Sequence, residues 1–374
     1  MPVSHASPPT LRPERFRAWL EALGYEPLLV DARGRRPRSG YREALRLLAA
    51  APGLALRARR ERPRLVFAGT ALHAPALWAI RAALGRQVVL IADVLGIRSM
   101  ETEQTTSRAV LRPLNRLAWR RLERLLFRQA DLALAVNDRH AELVRGLAPG
   151  LSVRTLRCGA EAALLEYEPG SRDALGIPPQ AVAVGFLGSL VCSRLEPVLA
   201  AWQELAQAAL EVPLCLVVIG DGPDLERYRR RAADRGWLGS SVVFLGGLPR
   251  PEALRALRAC DIAYSECWSD HGFPTKAYEY LALGRPVVIE GKPQMSEVLR
   301  DGYDALFFHT PSELASLIAR LAREPELRRR LGEAGRETFR SGHTLEHRSR
   351  EFAAALAELD PAVGSTAEAV EVAT

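Results

Sequence analysis

Lysine is nearly missing from this chain. Of its 51 basic residues only Lys276 and Lys292 are lysine, and the other 49 are arginine. Long hydrophobic runs are missing too: no stretch reaches the ~18 apolar residues that a membrane-spanning helix needs. The opening residues, MPVSHASPPTLRPERF, lack the apolar core of a secretory leader, so the expected location is the cytoplasm. The five cysteines, Cys158, Cys192, Cys215, Cys260 and Cys267, form no CxxC pair and have no histidine at metal-ligand spacing. That argues against a disulfide framework and a zinc site. Cys215, inside LCLVVIG, reads as a buried free thiol. Aromatic-interleaved basic grooves and DNA-reading motifs are also missing, so nucleic acid is not an expected partner.

What is present fits a globular protein. A length of 374 residues suits two domains, and 48% hydrophobic with 25% charged residues is an ordinary soluble composition. The net charge of +7 is unevenly spread: residues 1–150 hold 26 Arg and 13 Asp+Glu, a net of +13, and residues 151–374 carry −6. An arginine-rich coding bias does not explain an acidic second part. The asymmetry points the first part toward something anionic, such as a membrane surface or a phosphorylated lipid.

Short β-branched runs alternate with longer amphipathic ones. EPLLV, RLVFAGT, QVVLIAD, DLALAV and SVRTLR read as strands in the first part, and VAVGFLGSL, VPLCLVVIG, SVVFLGG, DIAYS, RPVVIE and DALFF in the second. Strands apolar on both faces and separated by helices predict parallel sheets covered on both sides. The two series are separated by EYEPGSRDALGIPPQ (166–180), whose Gly, Pro and charge read as a linker. In open parallel sheets ligands gather at the carboxyl ends of the strands. The first series starts oddly: its first glycine is Gly24, at the end of a helix, and VSHASPPT is all that stands where a first strand is expected.

One lysine lies in GFPTKAYEYLALGRPVV, Gly272 to Val288. Pro274 and Thr275 suit a helix start and Gly284 its end, after which RPVVI resumes a strand. Lys276, Glu279, Tyr280 and Leu283 share one helical face, and Ala277, Tyr278, Leu281 and Ala282 the other, so the helix is expected to be buried. In the first turn the helix dipole disfavours a cation by roughly 0.3 to 1 kcal/mol. An anion beside Lys276, such as a nucleotide diphosphate, removes the conflict. An i,i+3 ion pair with Glu279, worth roughly 0.2–0.5 kcal/mol, accounts for the same residues without a ligand. Physics alone leaves both open.

The flanking residues carry a resemblance. GFPTKAYEYLALGRPVV resembles the donor-binding segment of the retaining glycosyltransferases of family 4, with the pattern G-x-P-x-K-x-x-E-Y-x-A-x-G-x-P-V-V. VVIGDGPDLERYRR (217–230) is similar to their strand, GxGP turn and helix, and VVFLGGLPRPEALRALRACDIAYS (242–265) to the unit that follows. SEVLRDGYDALFF (296–308) resembles the segment after the donor site, and VGFLGSL (184–190) the first strand of the donor domain. The likeness covers residues 180 to about 340 in five ordered segments. It is looser over 1–165, where QADLALAVNDRHAELV with RTLRCGAE resembles the last acceptor-domain strand, helix and hinge, and VVLIADVLG the strand that carries an active-site acid. GDGP is not GxGxxG, so a dinucleotide fingerprint is absent.

The resemblance implies an α/β, GT-B fold of two Rossmann-like doubly wound parallel-sheet domains facing a cleft. Residues 1–165 would bind the acceptor, with a first strand short or missing, and 166–342 the nucleotide-sugar. A helix over 343–359 and a disordered tail over 360–374 follow. By the same resemblance Glu279 accepts from the ribose hydroxyls, while Lys276 and Arg194 neutralise the diphosphate as the sugar–phosphate bond breaks. Gly188 allows close backbone approach, Gly220 and Gly222 shape the nucleotide loop, and His271, Gly272, Phe273 and Pro274 line the donor. The chain departs from the pattern in three places. His271 stands where many members have a glutamate, with Asp270 and Glu266 close enough to substitute. Ser189 replaces an arginine, and Ala92-Asp93 a His-Asp pair. Asp93 and His73 are the catalytic candidates, for orienting the acceptor hydroxyl. Neither a metal ion, nor a cofactor beyond the donor, nor a covalent protein nucleophile is implied.

Arg108, Arg112, Arg116, Arg120, Arg124 and Arg128 recur every four residues in a stretch that also supplies Leu114, Leu117, Leu122, Leu125 and Trp119. Pro113 is expected to begin the helix. The leucines read as core and the arginines as a patch for anionic lipid heads or a polyprenyl-phosphate acceptor, worth about 1 kcal/mol per basic residue. The expected activity is transfer of a sugar, with retention, to a lipid-linked or polysaccharide acceptor at the inner membrane face. The alternatives are a non-catalytic relative that binds nucleotide as an assembly partner and a nucleotide-sugar epimerase.

Overall fold

The computed structural model describes residues 8–26, 40–69, 71–101, 109–191, 194–208, 210–267 and 272–359. Most of the strand expected at EPLLV, and Arg108, Cys192, Asp270, His271 and the tail from 360, lie outside the described residues. So does most of VSHASPPT; its last three residues, Pro8 to Thr10, begin the helix Pro8–Ala22. Two compact units are formed, one by Glu14–Arg157 with the chain from Ser349 onward, the other by Cys158–Arg348 with the chain up to Pro13.

The N-terminal unit is built on a four-stranded parallel sheet in the order β1-β2-β3-β4, with β1 Leu65–Ala68, β2 Val89–Val94, β3 Leu132–Ala135 and β4 Ser152–Thr155. Alternate residues feed opposite faces. Leu90, Ala92, Ala133 and Ala135 pack with Leu77 and Ile80 of the helix Ala74–Leu84 and with Leu126 and Phe127 of the helix Arg112–Gln129. Ile91, Leu132 and Leu134 pack on the other face with Phe16, Leu20, Phe352 and Leu356. Phe16 stacks on Phe352 at 5.0 Å, so the helix Leu345–Ala357 closes this core. Both faces are covered, which is why β1 and β3 are apolar at every position. Asn137 caps the helix Asp138–Leu147 by accepting from the His140 amide at 2.7 Å.

The C-terminal unit holds a six-stranded sheet in the order β10-β9-β8-β5-β6-β7, every pair parallel. The strands are β5 Val182–Leu187, β6 Leu214–Ile219, β7 Val242–Gly246, β8 Ile262–Ser265, β9 Val287–Glu290 and β10 Ala305–Phe308. Phe186, Tyr264 and Phe308 feed one face and Ala183, Ala263 and Ile289 the other. The stretch 166–180, read as a linker, is packed onto this unit. The Gly170 amide donates to the Arg255 carbonyl at 2.9 Å, Arg172 bonds Asp261 at 3.0 Å, and Ile177 is buried. Its Gly, Pro and charge serve a tied-down crossover, and the break between units falls at Arg157/Cys158. Among the described residues no helix is long and apolar enough to cross a membrane.

Candidate functional site

Strand order locates the candidate site of the C-terminal unit. The chain runs outward from β5 to β7 on one side and from β8 to β10 on the other, so the direction switches between neighbours β5 and β8. Ligands of open α/β sheets sit at the carboxyl ends of such strands. Gly188 and Ser189 follow β5, and Glu266 follows β8.

The glycines are spaced for backbone approach. Gly188 donates to the Ile219 carbonyl at 3.0 Å, Leu190 to Asp221 at 2.9 Å, and Gly220 to Gly246 at 2.8 Å, which laces the turns after β5, β6 and β7 together. Gly220 has φ +148°, and a β-carbon there would overlap the Gly188 carbonyl; one at Gly222 would overlap the Leu190 backbone. Gly188 leaves room of another kind: its missing β-carbon would stand 3.5 Å from the Lys276 Nζ. Ser189 is exposed beside it.

Lys276 begins the helix Lys276–Ala282, which Gly284 ends at φ +64°. Tyr280 holds this helix to β5: its hydroxyl accepts from the Leu187 amide at 3.0 Å and donates to the Leu187 carbonyl at 3.3 Å. The ammonium of Lys276 lies 4.1 Å from the centre of the Phe186 ring and 2.8 Å from Glu266 Oε2. Arg194 Nε stands 3.6 Å from Glu266 Oε1. Two cations thus converge on one carboxylate at the switch point. Burial pushes the Lys276 pKa down, against the opposing pull of Glu266.

Glu279 goes elsewhere. Its Oε1 is 2.7 Å from Arg250 Nη2, which also reaches Glu161 Oε2 at 2.8 Å. The i,i+3 pair weighed from the sequence is therefore replaced by two tertiary pairs. The Arg250 pKa is raised: burial lowers it, and Glu279 and Glu161 outweigh that. Gly272 is fixed by Gln294, whose Nε2 donates to its carbonyl at 2.8 Å; Phe273 lies 5.0 Å from the Tyr278 ring; and the Pro274 carbonyl accepts from Ala277 at 2.9 Å. His271 lies outside the described residues.

In the N-terminal unit, Asp93 is buried near the carboxyl end of β2, and His73 precedes the helix Ala74–Leu84, beyond the end of β1. β1 and β2 are paired, Ala68 with Ala92, so both candidates sit toward the carboxyl ends of neighbouring strands. Glu123, also buried, accepts from the Ser99 amide at 3.0 Å and the Ser99 hydroxyl at 2.5 Å. It thereby ties the helix Arg112–Gln129 to the loop after β2.

Sequence reasoning missed Arg250 and Glu161, and weighed Glu266 only as a substitute for the sugar-binding glutamate. A usable signal existed for Arg250, since FLGGLPRPEAL places an arginine four residues past the end of β7, at the start of the next helix. Among the described residues no group of three or more His, Cys, Asp or Glu could hold a metal ion.

Comparison with known proteins bears on the same region. Residues 200–354 match a family model described as glycosyl transferase-like. An uncharacterized glycosyltransferase of Methanocaldococcus jannaschii is 21% identical over 61% of this chain and 59% of its own length. A D-inositol 3-phosphate glycosyltransferase of Saccharomonospora viridis is 28% identical over 56% of this chain and 49% of its own. The chain spans about half the length of these curated relatives. Among solved structures, Anabaena HepE in complex with UDP is similar at TM-score 0.67 and 16% identity, covering 83% of this chain and 82% of that one. Sucrose-phosphate synthase of Thermosynechococcus elongatus is similar at TM-score 0.70 and 18% identity, covering 90% and 83%. The chain thus has the GT-B fold, and its residues 200–354 are glycosyl transferase-like.

Proposed function

We propose that this protein is a retaining glycosyltransferase that moves a sugar from a nucleotide-sugar to a glycan or lipid-linked acceptor. The observation that carries the proposal is the convergence of Lys276 and Arg194 at the β5/β8 switch point, among turns too tight for a β-carbon at Gly220 or Gly222. Two cations in a partly dehydrated site stabilise the charge that grows on a leaving diphosphate. Glu279 is assigned the ribose hydroxyls, a diol that one carboxylate can accept from twice, with Arg250 giving way or sharing it. Asp93 and His73 are assigned the acceptor hydroxyl, and the donor phosphate helps to take its proton. No metal ion is part of the proposed step. HepE has been solved with UDP and with UDP-glucose, which makes uridine nucleotides the first donors to try.

The acceptor side is proposed to work at an anionic membrane face. Arg116, Arg120, Arg121, Arg124 and Arg128 on the helix Arg112–Gln129 are exposed, and so are Leu114 and Leu117. These two leucines, read from the sequence as core, instead offer apolar surface beside the arginines. The helix has a single acid, Glu123, and that one is buried. Arginine heads beside apolar side chains suit lipid headgroups over acyl chains.

A thermal-shift screen against UDP-, GDP-, ADP- and dTDP-sugars tests the donor assignment. At least one is expected to raise Tm, and Glu279→Ala is expected to abolish that rise. If no nucleotide-sugar shifts Tm, the proposal fails.

A further inference from the structure

Two cations assigned to a diphosphate are already held by a carboxylate. Glu266 follows β8 directly and is 5% exposed. Its Oε2 bonds the Lys276 ammonium at 2.8 Å, and its Oε1 faces Arg194 Nε at 3.6 Å. The two contacts differ in kind. The lysine contact is a charge-assisted hydrogen bond. The arginine contact is electrostatic only, and the buried Arg194 Nε has no hydrogen-bond partner among the described residues. A buried ammonium needs an anion nearby, because burial disfavours its charged form. Glu266 supplies that anion.

We propose that Glu266 is a built-in competitor for the donor's diphosphate and makes this site select diphosphates over monophosphates. The inference rests on the proposed function, since it takes Lys276 and Arg194 as the phosphate-binding pair. An entering anion must replace the carboxylate at Lys276, and the buried ion pair is given up as it does so. A diphosphate has two phosphoryl groups, one for each cation, and the unmet Arg194 Nε offers a first foothold. A monophosphate replaces Glu266 at one cation while standing against its negative charge at the other. The carboxylate therefore weakens the binding of every anion and weakens single phosphates most. It also loosens the nucleoside diphosphate product after transfer.

Titration calorimetry with inorganic pyrophosphate and inorganic phosphate, on the whole chain, tests this with wild type, Glu266→Gln and Lys276→Met. Removing one like charge is expected to tighten pyrophosphate binding at least about tenfold. Phosphate binding is expected to tighten more, so the preference for pyrophosphate narrows. Lys276→Met is expected to weaken both. If Glu266→Gln leaves pyrophosphate affinity unchanged or weaker while Lys276→Met lowers it, Glu266 is only a scaffold for the lysine: the competitor role is overturned and the donor site stands. If no variant binds pyrophosphate, both proposals fall. Glu266→Gln leaves Lys276 short of a counter-ion, so its Tm is read with and without pyrophosphate. A larger rise than in wild type supports the competitor role, and an equal or smaller rise overturns it.

Discussion

The two parts of the chain carry positive charge in opposite ways. Residues 1–150 are strongly basic at +13, and the arginines of the helix Arg112–Gln129 face solvent. Residues 151–374 are acidic at −6, yet they bury a lysine at the switch point of a sheet and set an arginine beside it. An exposed guanidinium costs little and demands no partner, so many of them can share one helix. A buried ammonium is disfavoured unless an anion offsets it. Position therefore says more than number: the one buried lysine requires an anion beside it, and a row of exposed arginines does not. The difference also fits the choice of residue. A compact ammonium fits the 4.1 Å approach to Phe186 in a crowded first turn, where a planar guanidinium needs more room.

The comparison can be broken at its buried end first. Lys276→Met leaves the Glu266 carboxylate buried with only the more distant Arg194, and is expected to cost about 3 kcal/mol of stability in urea unfolding. At the exposed end, replacing Arg120, Arg124 and Arg128 together by glutamine is expected to lower affinity for anionic vesicles by about 1 kcal/mol per residue. Sedimentation with vesicles at low and high salt reads this, and urea stability is expected to stay within about 0.5 kcal/mol. Tyr280→Phe leaves the Leu187 amide without its partner and is expected to cost about 1–3 kcal/mol. No such loss would mean that the tyrosine does not position the lysine.

The smallest effect concerns the one acid of the arginine helix. Burial raises the Glu123 carboxyl above its ordinary 4.5, more than the Ser99 hydrogen bonds lower it. Its stabilising contribution is thus complete below pH 4.5 and is lost as the pH rises through the folded value. Glu123→Gln is expected to flatten the fall of Tm with pH above that point. An unchanged slope would show that Glu123 does not set it.

Apolar runs between helical stretches revealed the ten strands of the two sheets, because parallel strands covered on both faces are rich in apolar residues; β4, Ser152–Thr155 at a sheet edge, is the polar exception. The helix bounds from Lys276 to Gly284 were equally legible, since Pro274 and Gly284 are local signals. Ion pairing was not. Helical spacing put Lys276 beside Glu279, but the folded chain sends the lysine to the end of β8 and the glutamate to Arg250 at the start of the helix after β7. Those partners are set by strand order, which no local pattern encodes. The packing of 166–180 onto the C-terminal unit was not legible for a related reason: Gly, Pro and charge describe a free linker and a tied-down crossover alike, and tertiary contacts such as Arg172 on Asp261 and Gly170 on Arg255 tell them apart.

Lys276 is proposed to be placed for a diphosphate. The direct test is the Kd for UDP of wild type and Lys276→Met, by calorimetry at a temperature where both are folded. Binding is expected to be at least about tenfold weaker in the variant, a loss of about 1.4 kcal/mol or more. An equal Kd in the two proteins would contradict it.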